Sequence, residues 1–190
     1  MKMHKDNFDI IFFGRGGQGA KVISEIIAQA AVKEGKFVQA FPYFGPERSG
    51  APTKAYVRIS DKEIRIHEPI VDPDVVVVLD ETLLNSQDIT KNLDIDESLI
   101  VNSTKRPEEI AKIIKEFKGK THSIDASGIA LKIIGQPRPN SVILGKFVQV
   151  TEIVKLENII EEFKKVFEGK IGGEMTDKNI RAIEARYDSM

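Results

Sequence analysis

Gly14, Arg15, Gly16, Gly17, Gln18 and Gly19 follow an apolar stretch from Ile10 to Phe13 and open a segment in which Val22, Ile23, Ile26 and Ile27 recur at helical spacing. The order is strand, glycine turn, helix. Glycines here let backbone N–H groups approach an anion closely, and the positive end of the helix dipole favours the same charge. Phosphate is the natural ligand chemistry, and Lys21 can reach it from the first helical turn. A nicotinamide dinucleotide site would also need an acid at the end of the second strand, about 20 residues on, to hold a ribose hydroxyl. That strand, Phe37 to Phe41, runs instead into Pro42 and Tyr43, and Glu34 stands too early. A P-loop is ruled out because Ala20 and Lys21 follow Gly19 where Lys and then Ser or Thr are required. The bland alternative is a tight turn that binds nothing.

The second chemical feature is the segment from Pro42 to Pro52, with three prolines and two glycines among aromatic and charged residues. It reads as an ordered loop on the same rim as the glycine turn, so the two can face one ligand or partner. Arg48 is its tool for phosphate or carboxylate, with Glu47 orienting it; a solvated ion pair is the competing reading. Tyr43 and Phe44 offer aromatic area for another chain or fold back into the core. His4, His67 and His122 have no metal-ligand spacing. Asp72, Asp74, Asp80 and Glu81 bracket a valine run, and Asp80 fits helix capping better than ligand contact. No G-x-S-x-G nucleophile elbow is present.

The elements that must position these residues alternate between strand and helix. Strand Phe8 to Phe13, a helix from about Gly17 to Lys33 and strand Lys36 to Phe41 make a βαβ unit. Thr53 to Ile59 and Glu63 to His67 read as a hairpin joined by Ser60, Asp61 and Lys62. Val75 to Leu79 has the character of a central parallel strand buried on both faces. Ser98 to Val101 and Lys120 to Ile124 are further strands, with Pro107 near the start of a helix between them. Helices follow from about Gly128 to Ile134 and from Ser141 to Val150, where Gly145 allows close packing. Another runs from Leu156 to an end at Gly169, and the last has Thr176 as N-cap and Ile180, Ile183 and Tyr187 as its stripe. The expected fold is α/β and Rossmann-like, a mostly parallel sheet flanked by helices with an added β-hairpin and C-terminal helices, in one domain over residues 1–190.

Composition narrows the function. With 30% charged residues, 41% apolar residues and a net charge of −1, the chain has no general attraction to nucleic acid or anionic lipid. The absence of an apolar leader or membrane-length apolar run points to the cytoplasm. No cysteine is present, which excludes disulfides and thiolate-held iron–sulfur clusters within this chain.

GRGGQGAK, FGPERSGAP with the following KAYVRIS, and PNSVILGKF, in that order and spacing, resemble the gamma subunit of the 2-oxoacid:ferredoxin oxidoreductases, of the pyruvate or 2-oxoisovalerate type. The likeness runs from about Asp9 to the C-terminal helix. It implies a non-catalytic subunit of a hetero-oligomer that converts a 2-oxoacid and coenzyme A to acyl-CoA, carbon dioxide and reduced ferredoxin. Thiamine diphosphate and iron–sulfur clusters would belong to partners of the alpha, beta and delta types. It also implies coenzyme A contact through Gly14, Arg15, Gly16, Gly17, Gln18 and Gly19, assisted by Lys21 and Arg48. A purely architectural subunit and a free-standing nucleotide-binding oxidoreductase are the alternatives.

Overall fold

Around one strand, β1 (Asn7–Arg15), the other elements are arranged in two layers. The structure, a computed structural model, describes residues 6–43, 50–85, 88–114 and 117–185, with 42 and 43 described by backbone alone. After β1 come α1 (Ala20–Lys33), β2 (Phe37–Tyr43), β3 (Pro52–Ser60), β4 (Val75–Val78), a 3-10 turn over Glu81–Asn85, β5 (Ser98–Asn102), α2 (Pro107–Ile113) and β6 (Lys120–Ile124). Four helices close the chain: α3 (Ala126–Ile134), α4 (Asn140–Thr151), α5 (Leu156–Ile171) and α6 (Gly173–Glu184). The strands form one sheet in the order β2-β3-β1-β4-β5-β6. The pairs β1–β4, β4–β5 and β5–β6 are parallel, and β3 runs against both β1 and β2.

Alternation along the strands divides the core. Ile10, Phe12, Val75, Val77 and Ile100 pack under α1 and the C-terminal helices, with Ile23, Ile27, Phe147 and Phe163. Ile11, Phe13, Val76, Val78, Leu99 and Val101 face the other layer, with Ile110 and Leu83. All four valines of β4 are buried, as a central strand between two layers requires.

Three local expectations are corrected. The hairpin is formed by β2 and β3, not by residues 53–59 with 63–67, which carry no strand. Both edges of β3 are already paired, to β1 and β2, so no edge was left for residues 63–67. For the same reason β1 and β2 run parallel but are separated by β3. Helix α5 passes through Gly169 and stops at Gly172, whose φ of 79° suits the absence of a side chain. Thr176 lies inside α6, where its hydroxyl donates to the Gly172 carbonyl at 2.8 Å instead of capping the helix. Tyr187 lies outside the described residues.

Two close contacts fix the layers. Gly145 packs α4 against α6 so tightly that a β-carbon there would fall 2.1 Å from the Ile183 carbonyl oxygen. Arg58 of β3 and Asp9 of β1, paired directly across the strands, form a buried ion pair with Nε–Oδ1 2.9 Å and Nη2–Oδ2 3.3 Å.

Candidate functional site

The glycine turn is held by its own atoms and by the two residues that precede β3. Gln18 N–H donates to the Arg15 carbonyl at 3.0 Å, and Gly17, third residue of that turn, has φ 93°, the region a type II turn needs at this position. The Gln18 carboxamide oxygen accepts from Arg15 N–H at 2.7 Å, folding the side chain back across the turn. Gly16 N–H donates to the Ala51 carbonyl at 2.9 Å, and Gly50 N–H to the Gly16 carbonyl at 3.3 Å. Gly19 then caps α1 with φ 84°.

Asp80, at the carboxyl end of β4, ties the turn to the sheet. Its Oδ2 accepts from Gln18 Nε2 at 2.9 Å and lies 3.2 Å from Arg15 Nε. Its Oδ1 accepts from the Thr82 amide at 3.0 Å and from the Thr82 hydroxyl, capping the 3-10 turn as expected. Burial works to raise the Asp80 carboxyl, but hydrogen bonds from the Thr82 hydroxyl, Gln18 and the Thr82 amide, with the Arg15 charge, outweigh it and hold the group below its ordinary value. Arg15 also donates through Nη1 to the Gly50 carbonyl at 3.1 Å and through Nη2 to Thr82 Oγ1 at 2.8 Å. Its guanidinium is therefore engaged on three sides by the protein itself.

Backbone amides without a partner inside the helix lie one step along. Ile23 N–H is the first to return within α1, to the Gly19 carbonyl at 3.0 Å, so the amides of Ala20, Lys21 and Val22 have no acceptor inside the helix. Lys21 stands beside them, largely exposed, its ammonium 3.8 Å from Glu25. Gly14 through Gly19 and Lys21 thus come together at the head of α1, whereas Arg48, with Glu47 and Phe44, lies outside the described residues.

Asn102, Ser103 and Lys105, which sequence reasoning did not single out, complete the rim with Glu81. Asn102 Nδ2 donates to the Leu79 carbonyl and to Ser127 Oγ, each at 2.9 Å, joining the ends of β4 and β5 to the start of α3. Glu81 accepts from Lys105 Nζ at 2.7 Å and from the Ser103 hydroxyl; those bonds outweigh burial and lower its carboxyl. Asn140, which heads α4, sits over Gly19. The available signal was its place in PNSVILGKF, whose spacing gives no hint of the partner. His67 is exposed and His122 half-buried; burial, then Lys146 and Lys120, lower the His122 imidazole. Among the described residues no three His, Asp or Glu groups converge for a metal ion. A cleft of about 830 Å³ lies at the opposite end of the strands, between acids such as Asp74 and Glu97 and the amines of Lys118 and Lys120, and includes no residue of the turn.

Fold and rim together define a Rossmann-like α/β domain built around a glycine turn at a helix head. Residues 9–189 match the family model of pyruvate ferredoxin/flavodoxin oxidoreductase, and the chain belongs to that family, in its gamma (PorC) subunit group. It is 48% identical over 180 residues to the common gamma subunit of the pyruvate/ketoisovalerate oxidoreductases of Thermococcus kodakarensis, covering 95% of each chain. The crystal structure of the pyruvate oxidoreductase subunit PORC of Thermotoga maritima superposes with a TM-score of 0.86 at 43% identity, over 97% of each chain. A likeness of fold alone, with a TM-score of 0.76 at 22% identity, extends to 32% of a chain of the 2-oxoglutarate:ferredoxin oxidoreductase of Magnetococcus marinus, matched by 98% of this chain. Among the described residues no helix is long and apolar enough to cross a membrane.

Proposed function

We propose that this chain serves a multi-subunit pyruvate or related 2-oxoacid:ferredoxin oxidoreductase in the cytoplasm by helping to hold coenzyme A and by docking the subunits that carry thiamine diphosphate and iron–sulfur clusters. The observation that carries the coenzyme A reading is the head of α1. Asn140 stands over Gly19, but Gly17 leaves open space beside the turn, the first amides of the helix have no acceptor within it, and the exposed Lys21 adds a positive charge. These groups fit a phosphate. Coenzyme A, when bound, supplies the thiol that receives the acyl group.

Within this reading the residues divide their work. Gly17, with no side chain and open space around it, lets the anion come close to the free amides at the head of α1, and Lys21 neutralises it. Gln18, Arg15 and Asp80 keep the turn in shape, because Arg15 and Gln18 spend their polar groups on Asp80, Thr82 and each other. Arg48 is the further contact that the resemblance implies. Calorimetric titration of coenzyme A into the assembled complex tests this. Lys21→Glu and Gly17→Asp, each placing a carboxylate at the turn, are expected to weaken binding by about tenfold or more, the scale of one charged hydrogen bond. Unchanged affinity in complexes that assemble normally refutes the coenzyme A role.

The Arg15–Asp80 tie favours one rival, an architectural subunit whose turn only braces a neighbour. On that reading the same variants alter assembly and leave coenzyme A affinity intact.

A further inference from the structure

Residues 62–68 read Lys-Glu-Ile-Arg-Ile-His-Glu, an alternating run that has the character of a strand and that the sheet leaves unused. All are exposed except Ile64, which is half-buried, and Ile66 keeps 47% of its surface open to solvent. Glu63 and Arg65 lie side by side, with Arg65 Nε 3.2 Å and Nη2 3.0 Å from Glu63 Oε2, as two residues on one face of an extended chain do. Among the described residues the backbone of 63–67 makes no hydrogen bond. The segment is tied down at its ends. Lys62 N–H donates to Ser60 Oγ at 3.1 Å, and the Glu68 carbonyl accepts from the buried Arg58 at 3.3 Å. It leads from the end of β3 towards the start of β4, on the opposite rim from the glycine turn.

A row of unpaired backbone groups between alternating side chains is a template for another strand. The order of charges in this run says which strand. When the run is laid antiparallel against itself about a two-fold axis at Arg65, Lys62 meets Glu68 of the second copy and Ile64 meets its Ile66. One face of the pair then has an apolar centre closed at both ends by opposite charges. On the other face Glu63 meets His67, and the two Arg65 side chains at the axis are each paired with the Glu63 of their own chain. A slip of one residue either way sets both isoleucines against Arg65, Glu63 or His67, which fixes the register.

We infer that residues 62–68 form an antiparallel two-stranded ribbon with the same residues of a second copy of this chain, joining two subunits at the rim away from the glycine turn. The pairing supplies the hydrogen bonds that the backbone of 63–67 lacks within its own chain. It is small beside a standard interface, so it is weak between free chains and gains strength where other contacts of an assembly hold two copies near each other. It does not depend on the coenzyme A reading above.

The chain contains no cysteine, so single cysteines report the register directly. Full-length Arg65→Cys, Glu63→Cys and His67→Cys are oxidised with diamide at rising protein concentration, and disulfide-linked dimers are read on non-reducing gels. These positions are exposed, and changing them leaves the core alone. Arg65→Cys, whose sulfurs meet at the axis, is expected to link to itself about tenfold faster or more than either other variant, whose like positions lie about 13 Å apart along the strands. An equimolar mixture of Glu63→Cys and His67→Cys should link about as fast as Arg65→Cys, because those positions face each other. Lys62→Glu added to Arg65→Cys should slow linking about tenfold, and Glu68→Lys added to both should restore it. Equal rates for the three single variants would mean random collision, and a charge swap that restores nothing would mean that this register is not used; either result overturns the inference. The same variants are placed in the assembled complex. If Arg65→Cys is shielded there from alkylation yet gives no linked dimer of this chain, a different subunit covers the segment and the second copy is excluded.

Discussion

Asn140, the first residue of α4, lies so close over Gly19, the cap of α1, that a β-carbon on Gly19 would fall 2.1 Å from the Asn140 side-chain nitrogen. Gly19 also holds φ 84°, which side chains adopt at a cost of about 1–2 kcal/mol. Gly19→Ala should destabilise the subunit by about that amount. The Asn140 amide is the end of a short side chain and can turn aside, so the backbone term dominates. Adding Asn140→Ala is therefore expected to recover less than half of the loss. Urea denaturation of the two single variants and the double variant decides; full recovery in the double variant would mean that crowding, and not φ, sets the requirement for glycine.

Gly145 poses the opposite case, because its neighbour is backbone. The Ile183 carbonyl carbon lies 2.9 Å and the oxygen 2.1 Å from the place a β-carbon would take, and α6 cannot step back without unpacking Ala182 and Ile183 from the core. Gly145→Ala should cost about 3 kcal/mol, the upper end for overpacking, although alanine is the better helix former. A loss below about 1 kcal/mol in denaturant unfolding would show that α6 is free to shift.

The ion pair between Arg58 and Asp9 is the third place where one atom group decides stability. Both residues are buried, and Arg58 Nη1 also donates to the Glu68 carbonyl at 3.3 Å, anchoring the chain beyond β3. Removing one partner leaves the other charge buried, a loss of about 3–5 kcal/mol. Arg58→Ala should show that loss, and Arg58→Lys should recover little of it because an ammonium cannot reproduce the two-point contact. Replacing both residues together, as Asp9→Val with Arg58→Met, should be far milder than either single change. Thermal unfolding of the natural protein, Arg58→Ala, Arg58→Lys, the single variants Asp9→Val and Arg58→Met, and the double variant gives the comparison.

These residues also show what the sequence makes legible. The valine run could be read as a central strand because being apolar at every position leaves no other burial pattern. The glycine turn could be read because strand, glycines and helical period stand in one short window. The insertion of β3 between β1 and β2 could not, since the partner of a strand is chosen by the whole sheet, and residues 63–67 alternate as well as many real strands do. Glycines 169, 172 and 173 are all credible helix stops, and only the backbone geometry singles out Gly172. Asp80 was expected to cap a helix and does, but its hold on Arg15 and Gln18 spans more than sixty positions, beyond any local signal. The same holds for Asn140 over Gly19.

The pH dependence of stability tests that hold on the turn. The folded Asp80 carboxyl sits below its ordinary value, so the folded state favours the ionised form more than the unfolded chain does. Its contribution is therefore complete above the unfolded carboxylate value, roughly pH 4, and disappears as pH falls through the lower folded value. Asp80→Asn keeps the size of the side chain but only one of its two acceptor oxygens, so it loses the charge facing Arg15 together with the hydrogen bonds to one of the two oxygens. The variant should be less stable than the natural protein at pH 6, and the difference between the two should shrink steadily from pH 5 towards pH 3. Glu81, also lowered, titrates in both proteins and largely drops out of the difference. Urea midpoints at half-unit intervals of pH are sufficient, and a difference that stays constant down to pH 3 would show that the Asp80 charge does not stabilise the turn.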